Sequence, residues 1–188
     1  MKPGVRALGV AESFRDDRST IGGAVVTAEG TVDGFEFSRC TVGGTDATNA
    51  VRRVYDDLDR EDVRYLFLAG VALAWFNLVD LRKLHRAIER PVVSIAFEDS
   101  EGLEPVLRRE FDGAALERRL ALYRSLPERR TTTINGETRY LRSVGIEHEE
   151  AAEIVAAFTP EGGRPEPVRV ARLAARAADS LVRRITDA

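Results

Sequence analysis

The sequence holds a single cysteine, Cys40, in 188 residues. No intrachain disulfide framework can form, and the expected setting is a reducing, cytoplasmic one. Histidine is almost as scarce: His85 and His148 fall on separate expected helices without ligand spacing, which leaves no basis for a structural zinc site. Long apolar runs are missing too. The longest, Tyr65 to Phe76, breaks at Asn77, short of the ~20 residues a bilayer span needs, and the first residues carry no apolar leader. No Gly-x-Ser-x-Gly elbow is present, and the pairs Gly22-Gly23 and Gly43-Gly44 lack both the Walker lysine and the dinucleotide spacing, so they read as turn and bulge glycines.

Lysine is nearly absent as well: only Lys2 and Lys83 occur among 28 basic residues, and the rest are arginine. Arginine forks onto phosphate and carboxylate in a way lysine cannot, although an arginine-rich genome gives the same count. The net charge of −3 gives no global bias toward nucleic acid or membrane. With 44% hydrophobic and 31% charged residues, the composition is that of a globular protein, and one domain spanning 1–188 is expected.

Strand signals open the chain. Gly4 to Val10, Thr20 to Thr27 and Thr31 to Val42 form an expected antiparallel meander, with a polar loop at Arg15 to Ser19 and a turn at Ala28-Glu29-Gly30. An amphipathic helix follows over Asp46 to Leu58, then a buried strand at Tyr65 to Ala69, a helix from Leu78 to Glu89 and a strand from Pro91 to Phe97. Helices are expected at 103–109, 114–126 and 147–158, and a long alanine-rich one at 168–185. Between them, Asn135-Gly136 marks a hairpin that either covers the sheet or presents an edge to a second copy, as in a homodimer. The fold class is α/β, a mixed sheet with helices on its faces.

Candidate chemistry lies at strand ends. Glu12 follows the first strand, Asp46 opens the first helix and Asp80 lies at the second. Convergent carboxylates can hold Mg²⁺ or Mn²⁺ and activate water against phosphate. Each also has a structural reading: Asp46 suits a helix dipole, and Asn77 to Asp80 resembles a capping box with Asn77 as the N-cap. Arg164 and Arg169 around Pro165-Glu166-Pro167 could face a phosphate, or pair with Glu166.

Four segments together resemble one family. They are Met1 to Val10, Gly34 to Thr48, Gly70 to Asp80 with its Phe76-Asn77, and Pro165 to Ala171. The family is the mostly archaeal domain of unknown function 99, described as endonuclease-V-like. The resemblance implies an RNase H-like fold, shared with endonuclease V, which cuts deaminated nucleic acid near inosine using Mg²⁺. It also implies which acids to expect, and here the sequence departs. The aspartate ending the first strand corresponds to Ala11, the aspartate after the fourth strand to Ala69, and the glutamate before the first helix to Asp46. Glu12, one residue beyond Ala11, points to the opposite face of an ideal strand. Two expectations follow. One is a nucleic-acid (DNA or RNA) or nucleotide binding protein on a scaffold with a largely degenerate metal site, in which Arg39, Asn77, Asp80, Arg164, Glu166 and Arg169 mark the ligand. The other is an active Mg²⁺- or Mn²⁺-dependent endonuclease using Glu12 and Asp46.

Overall fold

A computed structural model describes residues 2, 4–14 and 16–186; Arg15 of the expected polar loop lies outside them, as do the first and last residues of the expected 1–188 domain. The meander forms as β1 (Arg6–Phe14), β2 (Arg18–Thr27) and β3 (Val32–Thr41), followed by α1 (Ala47–Leu58) and β4 (Val63–Leu68). Two short strands, β5 (Ala72–Leu73) and β6 (Asn77–Leu78), precede α2 (Leu81–Ile88) and β7 (Val92–Ala96). Then come α3 (Glu104–Glu110), α4 (Gly113–Ser125), the hairpin β8 (Arg130–Ile134) and β9 (Glu137–Val144), α5 (His148–Ala157) and α6 (Glu166–Thr186).

Seven strands make one mixed sheet in the order β3-β2-β1-β4-β7-β9-β8. β4 runs parallel to both β1 and β7, and the other pairs are antiparallel. The hairpin therefore extends the sheet. Its turn residues Asn135 and Gly136 both take positive φ, 50° and 78°, the signature a two-residue hairpin turn requires.

Alternation along β1 sorts its side chains between two cores. Leu8 and Val10 join Val51, Val54, Leu81 and Leu84 under α1 and α2. Ala7 packs with Phe67, Phe158 and Val168, and Ala11 with Ala24, Val170 and Ala171 under α6. α6 sits almost on bare strand: a Cβ added at Gly9 would stand 2.0 Å from the carbonyl carbon of Pro167, and one at Gly22 2.9 Å from the backbone nitrogen of Ala175. That approach explains the buried alanine face of α6.

Two boundaries differ from the sequence reading. β1 runs on to Phe14, with unbroken pairing of Ala11 to Gly22 and Glu12 to Ile21. The second helix begins at Leu81, not Leu78, because Asn77 and Leu78 pair with Leu73 and Ala72. Its N-cap is Asp80, whose Oδ1 accepts the backbone N–H of Lys83 at 2.9 Å. Asn77 caps a different helix: its Oδ1 accepts the N–H of Ala47, the first residue of α1.

The outer edge of β3 is covered by side chains. The Thr41 N–H meets Asp46, the Phe37 N–H meets Glu36, and the carbonyls of Arg39 and Asp33 accept from Arg53 and Arg60. Edge groups satisfied in this way are withdrawn from pairing with another chain. Among the described residues, no helix is long and apolar enough to cross a membrane.

Candidate nucleic-acid interface

A cleft of about 410 Å³ opens at the carboxyl ends of β4 and β7, the edge where open α/β sheets characteristically bind ligands. Ala69 to Ala72 form one lip, and Ser94 to Phe97 the floor. Tyr140 and Arg142 project from β9, Tyr123 from α4 and Arg172 from α6; Arg129 and Arg164 complete the wall. Four arginines thus face one opening, with Glu98 the acid in the lining.

Aromatic rings hold three of these arginines in place. Arg129 lies 3.8 Å over Tyr140, Arg142 5.2 Å over Tyr123 and Arg164 3.9 Å over Phe97. Arg129 also donates to the carbonyls of Ser100 and Glu98, and Arg142 to the carbonyl of Pro127. Arg164 is different. Its Nη1 is buried with no hydrogen-bond partner among the described residues. Burial pushes its pKa down, and the nearby charges of Arg172, Arg139 and Arg176 push the same way. A desolvated, crowded cation with a free donor is a site that an anion stabilises.

Arg169 belongs to an adjoining groove of about 310 Å³, lined by Arg164, Arg169, Arg172, Leu173 and Arg176. There it is paired with Glu166, whose carboxyl it holds below the usual range. Arg39 stands apart, exposed on the edge strand β3. Asp80 lines a separate cavity with Lys83 and Arg119.

The strand-end carboxylates are engaged locally. Glu12 points to the α1 face of the sheet, opposite Ala11, as its pairing with the core residue Ile21 requires. Its Oε2 accepts from Ser19 Oγ at 2.9 Å and from the Ala74 N–H at 2.6 Å. Burial nevertheless raises its pKa, against the lowering by Ser19, Ala74 and Arg172. Asp46 turns back to β3. It accepts from the Thr41 N–H and hydroxyl and from Asn77 Nδ2 at 2.7 Å. Burial raises its pKa, but these donors outweigh burial and leave it below the ordinary value. Glu12 and Asp46 both act on the thiol of buried Cys40, which burial above all pushes up to about 12. Among the described residues, no group of three or more His, Cys, Asp or Glu side chains is arranged to hold a metal ion.

Two features escaped the sequence reading. The cleft arginines 129, 142 and 172 are far apart in sequence and carry no shared motif. The turn between β5 and β6 places Ala74, Trp75 and Phe76 at φ of 42°, 59° and 58°, a run of non-glycine residues in the left-handed region with no glycine to announce it. Each costs about 1–2 kcal/mol. Arg119 holds this turn, donating from Nε to the Phe76 carbonyl and from Nη2 to the Gly44 carbonyl at 3.0 Å.

The family model described as endonuclease dU matches residues 3–179. The chain belongs to the endonuclease dU family. A curated relative from the archaeon Pyrobaculum calidifontis, a UPF0215 protein, is 37% identical over 175 residues, covering 89% of this chain and 93% of its own. A crystal structure of a protein of unknown function from Archaeoglobus fulgidus superposes with a TM-score of 0.81 at 30% identity, over 92% of this chain and 97% of that one. Ciona intestinalis endonuclease V, solved with a 24mer DNA containing an inosine followed by a ribo-adenosine, superposes with a TM-score of 0.61 at 12% identity, over 94% and 87%. At that identity the likeness is one of fold. The family is thus uncharacterised in its archaeal relatives, endonuclease-V-like and RNase H-like in scaffold, as the sequence resemblance implied.

Proposed function

We propose that this chain binds DNA through the arginine-lined cleft, and that the DNA carries deoxyuridine, the nucleoside to which the family's description points. The observation that supports this most is Arg164: a buried guanidinium with a free donor, among other arginines, on the face of Phe97. A phosphodiester supplies the charge and the paired oxygens that a guanidinium fork accepts. Phe97, Tyr123 and Tyr140 beside the arginines suit a single strand, whose bases need apolar faces.

The binding role takes precedence over hydrolysis of the endonuclease V kind because of the donor set. Ala11 and Ala69 stand where the resemblance calls for acids. Glu12 faces away from Ala11, and Asp46 is committed to Thr41 and Asn77. A hard cation needs several oxygen ligands converging on one point, and these side chains fit that arrangement poorly. A second reading, strand cleavage, is favoured by the family's description as an endonuclease. If a metal binds, Glu12 and Asp46 are its candidate ligands, Mg²⁺ or Mn²⁺ the candidate ions.

Labelled single- and double-stranded DNA and RNA, with and without uracil or inosine, separate these readings in Mn²⁺ or EDTA. Binding of uracil-containing DNA on native gels in both conditions, without cuts on denaturing gels, is the expected result. Metal-dependent cuts at uracil overturn the preference for binding alone. Absence of both overturns the nucleic-acid reading.

A further inference from the structure

We infer that Trp75 is a stacking plate for an unpaired nucleobase of the strand held in the cleft, an inference that rests on the nucleic-acid reading above. Trp75 is the only tryptophan of the chain and is 48% exposed. An isolated exposed aromatic is ordinary; the way this one is mounted is not. It is the middle residue of the left-handed run Ala74-Trp75-Phe76. Both ends of the turn are clamped. The Ala74 N–H is held by Glu12 and its carbonyl by the Gly43 N–H at 2.7 Å, while Arg119 holds the Phe76 carbonyl. Residues in such conformations persist only where their surroundings fix them, and they cluster at ligand sites.

The rings below complete the mounting. Phe76 packs edge-on against Phe111, itself covered by the Arg119 guanidinium at 3.8 Å. Trp75 meets Phe76 edge to face at 5.4 Å, so its neighbour braces the indole, which stays half-exposed. Position ties the plate to the cleft. Ala72, two residues before Ala74, lines the cleft, and Glu12, which holds Ala74, lies two residues beyond Val10, whose carbonyl accepts the N–H of the cleft residue Ala69 at 3.0 Å. A strand whose phosphates meet the arginines has its bases free to reach a flat apolar surface. Aromatic plates beside cationic grooves are how single strands are held without regard to sequence.

Because Trp75 is the sole tryptophan, its emission reports on the contact directly. Wild-type protein, Trp75→Phe and Trp75→Ala would be titrated with a fluorescein-labelled single-stranded uracil-containing oligodeoxynucleotide, reading anisotropy, and wild type with the unlabelled strand, reading indole emission. Quenching of the indole by at least half is expected on saturation. Affinity should stay within about threefold in Trp75→Phe and fall roughly tenfold in Trp75→Ala. Binding by anisotropy with unchanged indole emission and equal affinity in Trp75→Ala overturns the plate and leaves the cleft reading standing. No anisotropy change in wild type overturns both. Should Trp75→Ala fail to fold, quenching in wild type and the affinity of Trp75→Phe still decide.

Discussion

The guanidinium of Arg164 lies 3.9 Å from the centroid of the Phe97 ring, with its Nη1 buried and without a hydrogen-bond partner among the described residues. Burial and the charges of Arg172, Arg139 and Arg176 all disfavour its ionised form, yet arginine stays protonated at any ordinary pH. The cleft is thus under electrostatic tension that an anion relieves. A single-stranded oligonucleotide should raise the melting temperature of the wild type, and Arg164→Gln should lose much of that rise while melting no lower without ligand. Equal rises in both proteins would contradict this role for Arg164.

Gly9 is expected to tolerate no side chain. A Cβ there would stand 2.0 Å from the carbonyl carbon of Pro167, so α6 must move off β1. Gly9→Ala should cost about 3 kcal/mol or more, at the upper end of overpacking effects. Urea unfolding reads this directly, and a change below about 1 kcal/mol would show that α6 is less tightly docked.

Glu12 gives a pH signature. Its folded pKa lies above its ordinary value of 4.5, chiefly through burial. Between the two values the folded chain binds the proton more strongly than the unfolded one, so this contribution to stability is complete at acid pH and is lost as pH rises through the folded value. Glu12→Gln removes the loss. The variant should therefore gain stability relative to wild type as pH rises from the ordinary value of 4.5 through the folded one, followed by thermal melts at a series of pH values. A difference that is flat with pH, or that grows toward acid, would contradict the burial account.

Asp46 runs the other way. Its folded pKa lies below the ordinary 3.8: burial alone would raise it, but the hydrogen bonds from Asn77 and Thr41 prevail. Its stabilising contribution is present above that value and lost as pH falls through the folded one. Asp46→Asn replaces one acceptor oxygen with a donor in front of other donors and should cost about 1–3 kcal/mol at neutral pH. An unchanged melting temperature together with loss of Mn²⁺ binding would instead make Asp46 a metal ligand.

Local signals carried much of the fold. The Asn135-Gly136 turn, the apolar run of β4 and the alanine face of α6 each state their structure within a few residues. What stayed hidden is what only tertiary structure decides. Asn77 has the chemistry and spacing of an N-cap for the helix after it, but the strand pair β5–β6 captures it and turns its amide toward α1. The left-handed turn at Trp75 has no glycine, since distant Glu12 and Arg119 enforce it. Of the site residues read from sequence, Arg164 lines the cleft, Arg169 lines the adjoining groove and Arg39 lies on the edge strand. The remaining cleft arginines meet only because β9, α6 and the segment after α4 converge on the end of β7.

The central claim is that the cleft arginines grip a phosphodiester backbone. The dependence of affinity for uracil-containing single-stranded DNA on salt concentration tests it most directly, compared between wild type, Arg164→Gln and Arg172→Gln. Each lost phosphate contact should flatten the logarithmic slope by about 0.7, the single-strand value, and weaken binding at every sequence tried. A slope unchanged in both variants would place the nucleic acid elsewhere on the molecule.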